Sequence, residues 1–95
     1  MRKIEQDMLK AIRARRRFNS GNTMVMRDNT YNRCEVFLFG NHIANVYDDG
    51  WVQPNVYTVA EHPTATTKSR LRALGVNITQ AKRTIFIDGL PVASC

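Results

Sequence analysis

Ile4, Met8 and Ile12 recur every four residues near the start of the chain, with Leu9 and Ala11 beside them. This spacing predicts a helix over residues 2–17. Lys3, Gln6, Lys10, Arg13 and Arg17 follow at intervals of three and four, so they form a polar stripe on another face, widened by Arg15 and Arg16. Asn19-Ser20-Gly21-Asn22 supplies the turn residues that stop the helix.

The middle of the chain reads as strands. Thr23–Met26 is a first strand, and Asp28-Asn29-Thr30 a turn. Cys34–Phe39 gives the strongest strand signal, with Val36 and Leu38 on one face and Phe37 and Phe39 on the other. Apolar side chains on both faces predict either a central strand covered on both sides or one with a covered face and a binding face. Gly40-Asn41 signals a tight hairpin, His42–Tyr47 the partner strand and Asp48-Asp49-Gly50 the next turn. Trp51–Val59 is predicted to be extended, and Pro54 makes it an edge or bulged strand. His62-Pro63 breaks the chain before a short helix over Thr64–Leu74. In that helix Thr64, Thr66 or Thr67 caps, Leu71 and Leu74 face the core, and Gly75 ends it. Arg83–Ile87 is a last strand, closed by Asp88-Gly89. The expected architecture is α+β: a mainly antiparallel sheet of three to four strands, with an N-terminal helix and a second helix before the last strand. The 95 residues suit one domain, residues 1–21 forming a basic helix and turn and residues 22–95 the sheet-plus-helix core.

Composition narrows the function classes. Hydrophobic residues at 43% promise a core, with 3 prolines and 5 glycines too few for a disordered or collagen-like chain. No apolar run approaches the roughly 20 residues of a membrane span. The charged N-terminus lacks the apolar stretch of a signal peptide, so a cytoplasmic protein without membrane partners is expected. Cys34 in an apolar run and Cys95 at the end read as a buried and a loose thiol, not a disulfide framework.

Charge is the informative part. The net charge is +6. Residues 1–17 carry seven Lys/Arg against two acids, residues 18–63 two against five, and residues 64–95 five against one. Two basic ends around an acidic middle suggest an anionic partner: nucleic acid, DNA or RNA, or an acidic protein. Arg13, Arg16 and Arg17 belong to four arginines within residues 13–17. Dipole compensation at a helix end justifies some of them, but their number suits phosphate contacts. Thr66-Thr67-Lys68-Ser69-Arg70, with Arg72, opens the second helix. Hydroxyls and unpaired N–H groups at a helix start form an anion site, and cations there work against the helix dipole unless an anion docks. No glycine-rich turn precedes this stretch, so it is not a phosphate loop.

The remaining candidates are weaker. Tyr31, Phe37, Phe39, Tyr47, Trp51 and Tyr57 cluster in the strand region. Exposed, they would stack on bases; the expected fate of such residues is the core. His42 and His62 lack metal-ligand spacing. Cys34 with His42 lacks a third orienting group, so neither a metal, a cofactor nor a catalytic constellation is expected.

Asn22-Thr23, Phe39-Gly40-Asn41-His42-Ile43-Ala44, Gly50-Trp51, Thr64-Ala65-Thr66-Thr67-Lys68-Ser69-Arg70-Leu71-Arg72-Ala73-Leu74 and Ile87-Asp88-Gly89 together resemble a pattern in short accessory proteins of tailed bacteriophages. The helix segment is its most specific part, and the basic N-terminal helix lies outside it. The resemblance implies a phage accessory protein made inside a bacterium, and it carries over no functional residue. Small proteins of that kind often bind nucleic acid or redirect host machinery, as inhibitors that dock on a host protein.

Overall fold

The computed structural model describes residues 1–92; Cys95 lies outside them. Eleven elements follow one another: α1 (Lys3–Arg13), β1 (Phe18–Ser20), β2 (Thr23–Asp28), β3 (Arg33–Leu38), β4 (Asn41–Tyr47), β5 (Val52–Pro54), α2 (Val56–Glu61), α3 (Ala65–Ala73), β6 (Ile78–Ala81), β7 (Thr84–Ile87) and β8 (Leu90–Pro91). The fold is α+β. Its strands form two antiparallel sheets, β1-β2-β3-β4-β5 and β6-β7-β8. Eight strands therefore replace the three to four expected.

Strand alternation sets the two faces of the larger sheet. Thr23, Val25, Cys34, Val36 and Leu38 are buried on one face, while Met24, Met26, Arg33, Glu35 and Phe37 on the other are half-exposed. β4 carries one extra residue: Val36 pairs with Ala44 but Phe37 with His42. This bulge turns both Ile43 and Ala44 into the core, where each is at most 1% exposed. Met8 of α1, Val59 of α2, Leu71 and Leu74 from the α3 end, and Ile78 and Ile85 of the small sheet complete the same buried cluster. Helices and small sheet thus cover one face of the five-stranded sheet and leave the other open.

Four local expectations are corrected. α1 ends at Arg13, not Arg17: Arg15 takes φ +56°, Arg16 N–H donates to Ala11 O and Arg15 N–H to Ile12 O, each at 3.0 Å. These two bonds form a Schellman stop with arginine at the left-handed position usually held by glycine. The hairpin loop is Phe39-Gly40, both at positive φ (+51° and +79°), and Asn41 already pairs with Leu38. The extended segment after Trp51 stops at Pro54, because Asn55 caps α2 by accepting a bond from Thr58 N–H. β1, β6 and β8 lie where no strand was expected, β1 taking in Asn19 and Ser20 of the expected turn.

Candidate functional site

The start of α3 is helical, and Thr64 caps it, its Oγ1 accepting from Thr67 N–H at 3.1 Å. The two threonine hydroxyls lie 2.9 Å apart and Thr67 is buried. Thr66 is half-buried. Lys68 Nζ donates to Gln80 Oε1 at 2.6 Å, a neutral partner. Ser69 donates to Glu5 Oε2 at 2.6 Å. Arg70, 2% exposed, is wholly internal. Its Nη1 donates to Glu5 Oε2 at 2.8 Å, its Nε to Thr23 Oγ1 at 3.0 Å and its Nη2 to Asn22 Oδ1 at 3.3 Å. Arg72 uses Nε and Nη2 on Ile78 O at 3.1 and 3.0 Å.

Burial alone would push the Glu5 carboxyl up. Hydrogen bonds from Ser69, Arg70 and the Arg2 backbone, with the Arg70 charge, outweigh it and hold the group below the ordinary carboxylate range. The helix has only 9 residues, so Arg70 and Arg72 stand in its last turn, where cations favour the dipole. The electrostatic mismatch expected at Lys68 and Arg70 is therefore absent at Arg70, while Lys68 stands nearer the helix start with the neutral Gln80 as its partner.

The arginine run sits elsewhere. Arg13, Arg16 and Arg17 are exposed and form no ion pair among the described residues. Arg15 approaches Asp48 at 3.6 Å, but Arg27 already holds that carboxylate through two bonds of 2.7 and 2.8 Å. Those Arg27 bonds, against the cost of burial and helped by the nearby arginine charges, keep the Asp48 carboxyl below its ordinary value. Arg17 Nη2 rests 3.8 Å from Met26 Sδ, on the open face of the sheet. Arg15 lies by Asp48 at one end of β4, whereas Thr64 and Thr67 share a cleft with Asn41 and Ile43 at the other end. About 20 Å of strand separates these positions. The two basic segments do not converge on one point.

The open face decides between the two alternatives for the Cys34–Phe39 strand: one side is covered and the other is not. None of the six clustered aromatics is buried, which corrects the expectation that they form the core. Pairing arranges the face in rows: Asn19, Met24, Phe37 and His42; Arg17, Met26, Glu35, Asn45 and Gln53; Asp28, Arg33, Tyr47 and Trp51. Arg33 lies between Tyr31 and Tyr47, 5.0 and 5.8 Å from their ring centres, and Tyr47 stacks on Trp51 at 4.9 Å and 17°. A hydrogen-bonded chain crosses the same face. Asn55 Nδ2 meets His42 Nδ1 at 3.4 Å, and His42 Nε2 meets Asn45 Oδ1 at 2.7 Å. Gln53 Oε1 accepts from Asn45 Nδ2 at 3.2 Å and from Tyr47 Oη at 3.3 Å, and Arg33 Nη1 donates to Tyr47 Oη at 3.1 Å. His42, Asn45, Gln53, Asn55 and Tyr57 line a surface cavity of about 290 Å³ at one corner. The signal that could have found this face is the alternation Arg33, Glu35, Phe37 beside Met24 and Met26, which leaves few side chains that need burial.

Among the described residues no group of His, Cys, Asp and Glu suits a metal ion, and no helix is long and apolar enough to cross a membrane.

Fold and site together define a small α+β protein that presents one open sheet face beside an exposed arginine run. The chain matches the Kyanoviridae Gp96 protein family over residues 1–92 and belongs to it. It is therefore a phage protein, and the basic N-terminal helix, outside the earlier resemblance, is inside the family match. No curated protein and no solved structure matches it.

Proposed function

We propose that this phage protein is a non-enzymatic nucleic-acid-binding accessory protein, and that Arg13, Arg16 and Arg17 carry its phosphate contacts. What supports this reading is one observation: these three arginines are exposed and have no carboxylate partner among the described residues, while Arg27, Arg33 and Arg70 are each held by acids. Free cations release phosphate counterions on binding; cations already paired do so at a cost. Lys68 and Arg72 extend the contact at a distance, and Thr66, Thr67, Ser69 and Arg70 serve the fold behind it.

The test is the salt dependence of binding to a labelled oligonucleotide. Affinity falls steeply with salt, and the triple variant Arg13→Gln/Arg16→Gln/Arg17→Gln lowers the logarithmic salt slope by about 2 to 3. Lys68→Glu weakens binding further. Salt-insensitive binding, or none in low salt, removes the proposal.

A second reading, an inhibitor that docks on a host protein, is favoured by Phe39, Trp51 and Tyr57, which are 72%, 56% and 78% exposed. A host protein retained stoichiometrically after nuclease treatment, and lost with Trp51→Ala, selects that reading.

A further inference from the structure

The open face carries more than phosphate contacts need. Tyr31, Arg33, Tyr47 and Trp51 form a tier of planar groups, and its two end rings stay 64% and 56% exposed. Each end therefore offers a free π-surface, and the tier behind it fixes its orientation.

The hydrogen-bonded chain across the face has a defined direction. Asn55 Oδ1 is taken by Thr58 N–H, so Asn55 Nδ2 donates to His42 Nδ1. His42 Nε2–H then donates to Asn45 Oδ1, and Gln53 Oε1 receives both Asn45 Nδ2 and Tyr47 Oη. The amide oxygens are consumed within the chain, which makes no use of the amide N–H groups of Gln53, a residue lining the cavity. Such a surface suits a ligand that is flat, rich in acceptors and negatively charged along its length.

We infer that the open sheet face binds single-stranded nucleic acid, with bases stacked on Trp51 and Tyr31, base carbonyls meeting the Gln53 amide, and the backbone running toward Arg17 and Arg16. This rests on the nucleic-acid reading above. Charge complementarity supports the occupant: the acids of this face, Asp28 and Glu35, are engaged by Arg33 at 3.2 and 3.7 Å, and Arg17 adjoins Met26 at the sheet edge opposite Trp51. The five strands span about 19 Å between those edges, a few nucleotides of extended strand. A duplex keeps its bases stacked on one another and out of reach of a flat sheet, so the face selects single strands.

Trp51 is the only tryptophan in the chain, so its emission reports on the site directly. The intact protein is titrated with an oligothymidylate of about ten nucleotides, an oligouridylate of equal length and the corresponding DNA duplex. The expected result is quenching of Trp51 by the single strands and binding at least about tenfold tighter than to duplex. Trp51→Ala and Tyr31→Ala, followed by anisotropy of a labelled strand, each weaken binding by about five- to a hundredfold. Tyr31 lies in an exposed turn, so its variant keeps the test valid if Trp51→Ala fails to fold. Equal binding of duplex, unchanged emission and unchanged affinity of both variants overturn the inference, while loss of binding in the Arg13/Arg16/Arg17 variant leaves the phosphate reading standing. No binding of any oligonucleotide in low salt overturns both.

Discussion

Replacing Glu5 with glutamine removes the counterion of a buried guanidinium. Arg70 and Glu5 side chains are 3% and 4% exposed and 2.8 Å apart, and Ser69 donates to the same carboxylate oxygen. Thr23 and Asn22 satisfy the other Arg70 donors but carry no charge. Taking away one partner of such a pair costs about 3–5 kcal/mol, because the remaining charge stays buried. A domain of this size holds about 5–15 kcal/mol in total, so the loss is at least about a fifth of its stability. At about 4–8 °C per kcal/mol, the melting midpoint falls by at least about 12 °C, read by circular dichroism at pH 7. The acid side carries a sign. The Glu5 pKa is lowered in the folded protein, so its contribution is complete above the ordinary value of 4.5 and drains as pH falls through the lower folded value. Wild type therefore loses stability below about pH 4.5, and Glu5→Gln loses less over that range. Combining Glu5→Leu with Arg70→Met restores most of the midpoint, since an apolar pair replaces a buried ionic one at little cost. A shift under about 1 kcal/mol for Glu5→Gln, with an unchanged acid slope, would refute this account of the α1–α3 junction.

Two further outcomes concern left-handed backbone positions. Phe39→Asn stabilises the protein by about 0.5–1 kcal/mol in urea unfolding, because asparagine tolerates the type I′ turn that Phe39-Gly40 forms and the ring is 72% exposed; destabilisation would mean that the ring packs in solution. Gly75→Ala and Arg15→Gly act in opposite directions at equivalent helix stops, the first lowering and the second raising stability by about 1 kcal/mol. Gly75 sits at φ +96° with open space around a Cβ, and Arg15 at φ +56°, so changes of the same sign would contradict a purely conformational origin.

What the sequence made legible was what one element decides by itself. The α3 cap at Thr64 and stop at Gly75, the cores of β2 to β4 and the Asp88-Gly89 turn follow from local chemistry. The early end of α1 was hidden because arginine, not glycine, takes the left-handed position, and Phe18 then leaves the helical pattern to pair with Val25. The small sheet was hidden because Ile78–Ala81 shows a single buried residue and no alternation. At the candidate site, Arg13, Arg16 and Arg17 were legible as a charge excess, since counting cations needs no tertiary structure. The fate of Arg70 was not, because its partner lies 65 residues away in α1. The aromatics were misjudged for a related reason: hydropathy sends tyrosine and tryptophan inward, but the small sheet and three helices already fill the one covered face.

The anion that meets the basic residues of α3 comes from within the protein. Glu5 meets Arg70 and Ser69, so α3 is anchored to α1 instead of waiting for a ligand. That internal pairing relocates the external charge. Acids engage Arg27, Arg33 and Arg70, and Arg16 and Arg17, which follow the α1 stop, have no ion pair among the described residues. The stop itself decides where they go: at Arg15 the chain leaves the helix axis and enters β1, which carries Arg17 onto the uncovered side of the sheet. A helix continued to residue 17 would have kept these arginines on α1, which packs on the covered side. The N-terminal segment is thus both a core element, through Glu5 and Met8, and the charged margin of the open face.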